Sequence, residues 1–268
     1  MARKPRVEFD QAFYHVIVRG NQRRRIFGDD RDRTAYLERI EHYRQRCGFA
    51  VYAYVLMSNH VHLLLETKKV SLSKIMQGIQ FSYTQSYNRR HRSVGHLFQG
   101  RYKAILCDRN AYLLELVRYI HLNPARMRNG VNPGKYRWSS HRSYLGEKSP
   151  VRVETEAVLG QLAKSLGQAR RAYDRFMEEG LGAGHQEKYY QAADRRILGD
   201  ERFVESVASR ARGKDIEPKG PKAGFEQLLD AVAREYGFTK EVLTGSGRRR
   251  DWIEGRRLLV HVAREGGK

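Results

Sequence analysis

Residues 49–66, FAVYAYVLMSNHVHLLLE, contain two apolar runs that are separated by a short polar turn at Ser58 and Asn59. Aliphatic, β-branched and aromatic side chains dominate both runs, and this composition is typical of β-strands. The short connection predicts an antiparallel hairpin with strands at 49–57 and 61–66. We expect the rest of the first half of the chain to be arranged around this hairpin.

Strands and helices alternate on either side of the hairpin. Two further β-like runs, FYHVIVRG and LFQGRYKAILC, predict strands, and apolar residues at every third or fourth position predict three amphipathic helices. The strands are expected at 13–20 and 97–107, and the helices at 32–48, 71–92 and 110–122. The order β-α-β-β-α-β-α predicts an α+β fold: a ferredoxin-like, split βαβ antiparallel sheet of four strands, with two helices on one face.

The sequence after Ser149 and Pro150 has a helical, all-α pattern of mixed charge, which is clearest at 156–180 and 201–212. A stretch rich in Pro, Gly and Lys at 212–224 predicts a linker. The chain is therefore expected to have three parts: a first domain at 1–149, a helical connecting region at 150–214 and a small helical unit at 215–268.

The charge of the chain is strongly positive and unevenly distributed. Its 268 residues include 51 Lys and Arg against 30 Asp and Glu, a formal charge of +21. Residues 1–150 carry +17 of this excess and residues 151–268 only +4. We therefore expect a polyanionic partner that binds mainly to the first half. Hydrophobic residues make up 40% and aromatic residues 10%, which excludes a disordered basic tail.

The sequence also excludes several cellular locations. No apolar run is long enough to span a membrane, and the first residues, MARKPRVEFD, lack the apolar core of a secretion signal. The two cysteines, Cys47 and Cys107, are far apart, so their spacing offers neither a disulfide framework nor a zinc ribbon. We expect a protein of the reducing cytoplasm that does not bind membranes.

Basic side chains are concentrated in two places of the first half. Residues 67–107 contain eight Lys and Arg and no acid, interleaved with aromatic residues, and three consecutive arginines follow the first strand. Such a surface suits phosphates and stacked bases, although a run of charge is often only a solvated face. The candidate nucleic-acid contacts are Arg19, Arg23, Arg24, Arg25, Lys68, Lys69, Arg89, Arg90, Arg101 and Lys103.

Two histidines of the hairpin, His60 and His62, are candidate metal ligands. Residues two apart on a strand point to the same face, so both imidazoles can reach one metal ion. Val61 between them would face the core on the other side. Ten histidines in the chain also make one such pair possible by chance.

Tyr119 and Asn123 form a second candidate pair near the end of the last helix. They are four residues apart and are neighbours on one face if the helix continues that far. Tyr119 could equally be an ordinary amphipathic residue, and Asn123 before Pro124 could cap a new helix. His121 lies off the face of Tyr119, which favours packing or a phosphate contact.

The sequence resembles the single-tyrosine HUH transposases, and most closely the REP-associated tyrosine transposases. The resemblance is carried by YHVIVRGNQRRRIF (14–27), YVLMSNHVHLLLE (54–66), LFQGRYKAIL (97–106), YIHLNPAR (119–126) and YRWSSHRSYLG (136–146). It covers roughly residues 5–146. These motifs together are far more specific than the pair of histidines alone.

The resemblance implies a set of site residues. His60 and His62 would bind a divalent metal ion, Asn123 would complete its ligands with a side-chain amide, and Tyr119 would be the nucleophile. Mg²⁺ or Mn²⁺ suits such an open site acting on phosphate, although imidazoles also accept zinc. No small-molecule cofactor is implied.

The resemblance also implies a substrate. The family nicks and joins single-stranded DNA next to a hairpin, with a 5′-phosphotyrosine intermediate, and its REP-associated members act on repetitive extragenic palindromes. We therefore expect a bacterial cytoplasmic, nucleoid-associated enzyme that is a monomer or a homodimer. Two alternatives remain: a regulator that binds a DNA or RNA hairpin without cutting it, and a zinc hydrolase that uses His60 and His62.

The C-terminal residues 225–265 are similar to the first helices of the DNA-binding domain of the bacterial replication initiator. The similarity consists of a helix with a stop at Tyr236 and Gly237, a short helix, and the basic run Arg248, Arg249 and Arg250. The later recognition helix of that domain has no counterpart, so we expect this unit to grip phosphates rather than to recognise a duplex sequence. A module that only packs its helices together is the alternative.

Overall fold

The computed structural model describes residues 7–127, 130–181, 197–214, 225–245, 247 and 252. The first half contains β1 (Phe13–Arg19), α1 (Asp30–Cys47), β2 (Ala50–Leu56), β3 (His60–Glu66), α2 (Leu72–His91), β4 (Lys103–Cys107) and α3 (Arg109–His121). It is followed by α4 (His141–Tyr144), α5 (Glu156–Leu162), α6 (Leu166–Glu179), β5 (Ile197–Leu198), α7 (Glu201–Lys214), α8 (Phe225–Tyr236) and α9 (Lys240–Thr244).

The strands form one sheet in the order β2-β3-β1-β4-β5. The first four pair antiparallel, with the split arrangement that the sequence predicts, because β3 lies between β1 and β2. The predicted α+β fold is confirmed. The two-residue strand β5, which the sequence did not indicate, pairs parallel to β4 and adds a fifth strand.

Helices cover both faces of the sheet. Apolar side chains of α1 and α2 pack on one face, against Val61, Leu63 and Leu65 of β3. The other face is covered by α3 together with side chains of α4, α5 and α6. The predicted pair of helices on one face is thus α1 and α2. This layering separates the sheet face of Val61 from the face of His60 and His62, because alternate residues of a strand point in opposite directions.

Two predicted elements differ from the structure. The strand expected at 97–107 begins only at Lys103, because Gly100 has a left-handed φ of 57° and residues 97–99 pair separately with the end of β1. The helix expected at 156–180 is two helices, α5 and α6. The second begins after Ser165, whose hydroxyl accepts a hydrogen bond from the backbone N–H of Gln168.

A buried polar network holds the end of α3 against α4 and α6. Tyr173 of α6 hydrogen-bonds through its hydroxyl to Nδ1 of His121 at 2.7 Å and to Nδ1 of His141 at 2.9 Å. Nε2 of His121 also lies 2.7 Å from the hydroxyl oxygen of Ser140, which accepts a hydrogen bond from the backbone N–H of Tyr54 on β2. His121 therefore has a packing role, one of the two that its position in the sequence favoured.

The chain divides into two compact units, Met1–Ala211 and Arg212–Lys268. The sequence placed the end of the first domain at residue 149. The compact unit continues because Tyr173, in the predicted connecting region, bonds to His121 and His141. In the second unit, Leu229, Val232, Ala233 and Leu243 form a small apolar cluster of α8 and α9. None of the helices in the described ranges is long and apolar enough to cross a membrane.

Tyr173→Phe is expected to destabilise the first unit by about 1–3 kcal/mol, because two buried ring nitrogens lose their shared partner. The free energy of unfolding by urea measures the loss. Tyr112→Phe is the matched control, since no hydrogen bond of the half-buried Tyr112 hydroxyl occurs in the described part of the chain. Equal stabilities of the two variants would contradict the network's contribution.

Acid pH is expected to destabilise the same unit. Burial lowers the pKa of both His121 and His141, although Asp174 opposes the shift at His141. Below pH 6.5 the unfolded chain therefore binds more protons than the folded one, and unfolding becomes easier by up to about 1.4 kcal/mol per pH unit for each such histidine. His141→Gln should reduce the slope of the unfolding free energy against pH, measured by urea unfolding at several pH values, and an unchanged slope would contradict this role of His141.

Candidate functional site

Three histidines meet on the sheet face that α3 covers. The antiparallel register places Ile17 opposite His62 and Arg19 opposite His60, so His15 of β1 is a diagonal neighbour of His62. The ring centroids of His60 and His62 are 5.1 Å apart, and those of His15 and His62 are also 5.1 Å apart. The structure thus brings the two predicted histidines together and adds a third.

His15 was missed by the sequence analysis, although its alternation with Phe13 and Ile17 places it on the same strand face. Its Nε2 lies 2.8 Å from Nδ1 of His62, and both imidazoles are fully buried. One ring nitrogen of each neutral imidazole is a donor and the other an acceptor. The contact fixes the orientation of the His62 ring, so a metal ion would have to be bound through Nε2 of His62.

Asn59 fixes the tautomer of His60. The Asn59 side-chain amide nitrogen donates a hydrogen bond of 3.0 Å to the carbonyl oxygen of Arg23, which can only accept. The Asn59 amide oxygen therefore faces Nδ1 of His60, at 2.7 Å. Because that oxygen is an acceptor, Nδ1 of His60 carries the proton and Nε2 carries the lone pair. This is the protonation state that a metal ligand needs.

The basic loop after β1 is anchored to the same turn. The backbone N–H of Gly20 donates to the carbonyl of Asn59 at 2.8 Å, and that of Ile26 donates to the carbonyl of Ser58 at 3.0 Å. A Cβ atom at Gly20 would lie 2.1 Å from the carbonyl oxygen of Arg24, so the loop requires glycine there. Arg23 has a left-handed φ of 59°, a strained conformation in the residue whose carbonyl Asn59 holds.

Tyr119 lies on α3 beside the histidines and is 2% exposed. Its ring centroid is 6.1 Å from that of His62 and 5.9 Å from that of His15, both edge to face. The guanidinium of Arg126 lies 4.8 Å from the Tyr119 ring centroid and donates to the Tyr119 carbonyl at 3.2 Å. Arg126 is not among the predicted site residues. Its position in the YIHLNPAR motif was the available signal.

Asn123 lies just beyond the end of α3, in a 3₁₀ turn over Asn123–Arg126. Its amide nitrogen donates to the carbonyl oxygens of Tyr119 at 2.9 Å and Ile120 at 3.3 Å. Asn123 thus satisfies the carbonyl end of α3 and does not cap the turn that follows. Its amide oxygen points away from those carbonyls and is the atom that could bind a metal ion.

Burial keeps the three histidines neutral. The pKa of His60 is lowered to about 4, first by burial and then by the charge of Arg19. Burial, followed by Lys103, lowers the pKa of His15 to about 3. Burial, followed by its histidine and arginine neighbours, holds the pKa of His62 well below its usual value. Neutral imidazoles can bind a metal ion without first losing a proton.

Within the described ranges, no group of three or more His, Cys, Asp or Glu side chains is placed to hold a metal ion. The metal ligands that the resemblance implies differ from such a group, because they comprise two imidazoles and one amide oxygen. Glu66, at the far end of β3, bonds to the Tyr52 hydroxyl at 3.1 Å and pairs with Arg109.

The candidate nucleic-acid contacts are mostly accessible. Arg19, Arg23, Arg24, Arg25, Lys68, Lys69, Arg89, Arg90 and Arg101 are exposed, and Lys103 is partly buried. Arg90 already pairs with Asp29 and Asp32, so its charge joins the end of α2 to the start of α1. The predicted contacts Arg248, Arg249 and Arg250 lie outside the described residues.

Most aromatic rings of the acid-free stretch 67–107 belong to the core. Tyr83 is 1% exposed and donates a hydrogen bond to the Ile26 carbonyl, and Phe98 and Tyr102 are also buried. They cannot stack on bases as an interleaved surface would. Phe81 differs, because its side chain is 63% exposed.

A comparison with models of protein families finds a match in the first half of the chain. Residues 8–123 match the family model described as "Transposase IS200 like". The matched segment is less than half of the chain, and it is similar to this family. The matched range contains the three histidines, Tyr119 and Asn123, and it ends at Asn123. The resemblance seen in the sequence motifs is thereby confirmed.

Two solved structures are similar to parts of the chain at low sequence identity. A REP-associated tyrosine transposase bound to a REP hairpin is 13% identical, with a TM-score of 0.48, and the match covers 58% of this chain and 96% of that one. A candidate transposase from Deinococcus radiodurans R1 is 15% identical, with a TM-score of 0.32, and the match covers 43% of this chain and 94% of that one. No curated protein matches the chain.

Two variants test the role of Asn59. In Asn59→Ala, His60 loses its acceptor and should change to the Nε2–H tautomer or to a mixture. In Asn59→Asp, the carboxylate still accepts from Nδ1 of His60 but cannot donate to the Arg23 carbonyl. Long-range ¹⁵N–¹H NMR spectra of ¹⁵N-histidine-labelled, metal-free protein report the tautomer directly. An unchanged tautomer in Asn59→Ala would contradict the assignment.

Proposed function

We propose that the domain nicks and joins single-stranded DNA next to a hairpin through covalent attachment to Tyr119. One observation carries the proposal: Tyr119 packs edge to face against His62 and His15 of its own chain. The nucleophile and the histidine pair are thus contributed by the same chain, next to a loop of three exposed arginines.

The side chains fit a divalent metal ion. The lone pair of His60 is on Nε2, because Asn59 holds its Nδ1–H, and His62 would bind through the same ring atom. Asn123 would supply its amide oxygen, since its amide nitrogen is used at the end of α3. This mixed nitrogen and oxygen set suits Mg²⁺ or Mn²⁺ when the remaining ligands are phosphate and water. Such an ion would polarise the scissile phosphate and favour an ionised tyrosine.

Tyr119 acts as the nucleophile in the proposed reaction. Its hydroxyl oxygen forms a bond to the scissile phosphorus while the bond from phosphorus to the 3′ oxygen breaks. The phenolic proton is lost from Tyr119 and the leaving 3′ oxygen gains one, which gives a 5′-phosphotyrosine and a free 3′-hydroxyl. One phosphoester replaces another, so a 3′-hydroxyl can attack in the reverse direction and join strands.

Arg126 supports this step from beside the ring. Its guanidinium is 4.8 Å from the Tyr119 ring centroid, where a cation favours the developing phenolate charge. The same side chain holds the Tyr119 carbonyl, so Arg126 also fixes the end of α3. Burial in the histidine face keeps the tyrosine ring in one orientation, which reduces the entropy cost of attack.

DNA is the polyanion that fits the surface of the domain. Arg23, Arg24 and Arg25 are exposed on the loop that is anchored to Asn59, next to His60. A strand that contacts these arginines would pass the histidine pair. The preference for single strands and hairpins comes from the resemblance of the sequence motifs to the REP-associated transposases. A hairpin-binding regulator would use the same surface without cleavage.

The site favours this reaction over a zinc hydrolase. A hydrolase needs a base to activate water, and Glu66, four residues after His62, is engaged by Tyr52 and Arg109. Attack by Tyr119 needs no activated water. The two chemistries also differ in outcome, because only the tyrosine reaction leaves DNA covalently bound to protein.

Tyr119→Phe is expected to abolish covalent attachment without weakening DNA binding. A pool of hairpin strands with randomised single-stranded flanks, labelled at the 3′ end, is incubated with Mn²⁺ or with EDTA and analysed on a denaturing gel. Wild-type protein should carry the label only with Mn²⁺, because the 5′-phosphate of the labelled fragment joins Tyr119. Tyr112→Phe, on the same helix, is the matched control and should retain attachment.

The remaining outcomes of this gel assign the alternatives. Tight binding by wild type with neither cleavage nor attachment would support the non-cleaving regulator. Cleavage without attachment would support a hydrolase. Covalent attachment by Tyr119→Phe would exclude Tyr119 as the nucleophile.

A further inference from the structure

A pocket of about 270 Å³ lies between one face of α2 and the segment that precedes β4. Four of its residues are three or four positions apart on α2, so they share one helical face. The pocket is lined mainly by Gln77, Gln80, Phe81, Thr84, His96 and Leu97. It is separate from the sheet face that carries His60, His62 and Tyr119.

Two features of the pocket indicate a ligand. Phe81 is 63% exposed, whereas Tyr83, two residues further along the helix, is 1% exposed. Accessible aromatic side chains are the platforms on which the bases of single strands stack. In addition, the side-chain nitrogen of Gln80 is buried without a hydrogen-bond partner among the described residues. A buried donor of this kind is costly unless a ligand supplies the acceptor.

The stretch of chain that forms the pocket contains basic residues and no acidic ones. No Asp or Glu occurs at any position in residues 67–107, which include the whole pocket lining. The pocket wall is also connected to the basic loop: the carbonyl of Leu97 accepts from the backbone N–H of Asn21, and the N–H of Gln99 donates to the Arg19 carbonyl, both at 2.9 Å. Arg19 is paired across the strands with His60. The pocket therefore adjoins the strand end next to the candidate site.

We propose that this pocket binds one unpaired nucleobase, stacked on Phe81 and accepting a hydrogen bond from the side-chain nitrogen of Gln80. The inference rests on the proposed function, because DNA supplies the base. A base fits better than an apolar protein side chain, since it has both a π face for Phe81 and an acceptor for Gln80. Its phosphates would meet basic rather than acidic neighbours.

The experiment compares two labelled strands with equal numbers of phosphates, dT20 and a 20-residue abasic strand, by fluorescence anisotropy with the full chain. Wild type is expected to bind dT20 at least about 10-fold more tightly, because each stacked base contributes to affinity. Phe81→Leu keeps an apolar side chain but removes the ring, and it should lose about 5-fold or more of the affinity for dT20. Its affinity for the abasic strand should not change.

Three further variants sharpen the test. Phe81→Trp keeps an aromatic face and should retain the preference for dT20. Gln80→Met has a similar shape without the donor and should lose part of the preference. Val94→Ala, at a position that is 97% exposed in the adjoining loop, is the matched control and should behave as wild type. Thermal unfolding of each variant verifies that it is folded.

Each outcome separates this inference from the proposed function. An unchanged ratio of dT20 to abasic affinity in folded Phe81→Leu would overturn the nucleobase pocket, while attachment of DNA to Tyr119 could still be observed. A wild type without preference for dT20 would overturn it equally. Failure of wild type to bind either strand would overturn the nucleobase pocket but not the proposed function, which the hairpin strands of the attachment gel test separately. A preference for dT20 without covalent attachment on that gel would overturn only the nicking reaction.

Discussion

The antiparallel pairing of β1 with β3 is the constraint on which the candidate site depends. Its register places Arg19 opposite His60 and Ile17 opposite His62, so the side chains of one strand face are fixed relative to those of the next. A shift by one residue would turn His60 and His62 to the opposite face and bury them against α1 and α2. The same shift would move Val61, Leu63 and Leu65 out of the core that α1 and α2 cover. The burial of these apolar side chains therefore stabilises the observed register.

The helix that carries Tyr119 is held at its end by polar contacts as well as by apolar packing. Arg126 and Asn123 satisfy its last carbonyls, and His121 bonds to Tyr173 on α6. This explains why the compact unit extends beyond the predicted boundary at residue 149. A side chain in the neighbouring α-helical segment completes the network that fixes α3. The position of Tyr119 thus depends on residues about 50 positions further along the chain.

Much of the fold could be predicted, because hydrophobic periodicity reports which faces are buried. The hairpin, the helices α1 to α3 and their order follow from it, and the strand spacing of His60 and His62 places them on one face. Contacts between distant segments could not be predicted. The partnership of His15 with His62 depends on strand register, and the burial of Tyr83 and Phe98 depends on their packing against each other and against Tyr36 of α1. Pattern alone could not distinguish these core rings from the exposed Phe81.

The two hydrogen bonds of the Asn59 side chain connect the basic loop after β1 to His60, a candidate metal ligand. Its amide nitrogen holds the carbonyl of Arg23 and its amide oxygen holds the ring of His60, so one side chain joins the basic loop to a candidate metal ligand. Because Arg23 adopts a left-handed conformation, the loop needs such a tether to keep its shape. A DNA strand that contacts the loop arginines would therefore bind next to the Arg23 carbonyl. That carbonyl holds Asn59, and Asn59 orients His60. DNA binding and the proposed reaction would be coupled through the side-chain amide of Asn59. Neither the net charge nor the pair of histidines indicates this coupling by itself.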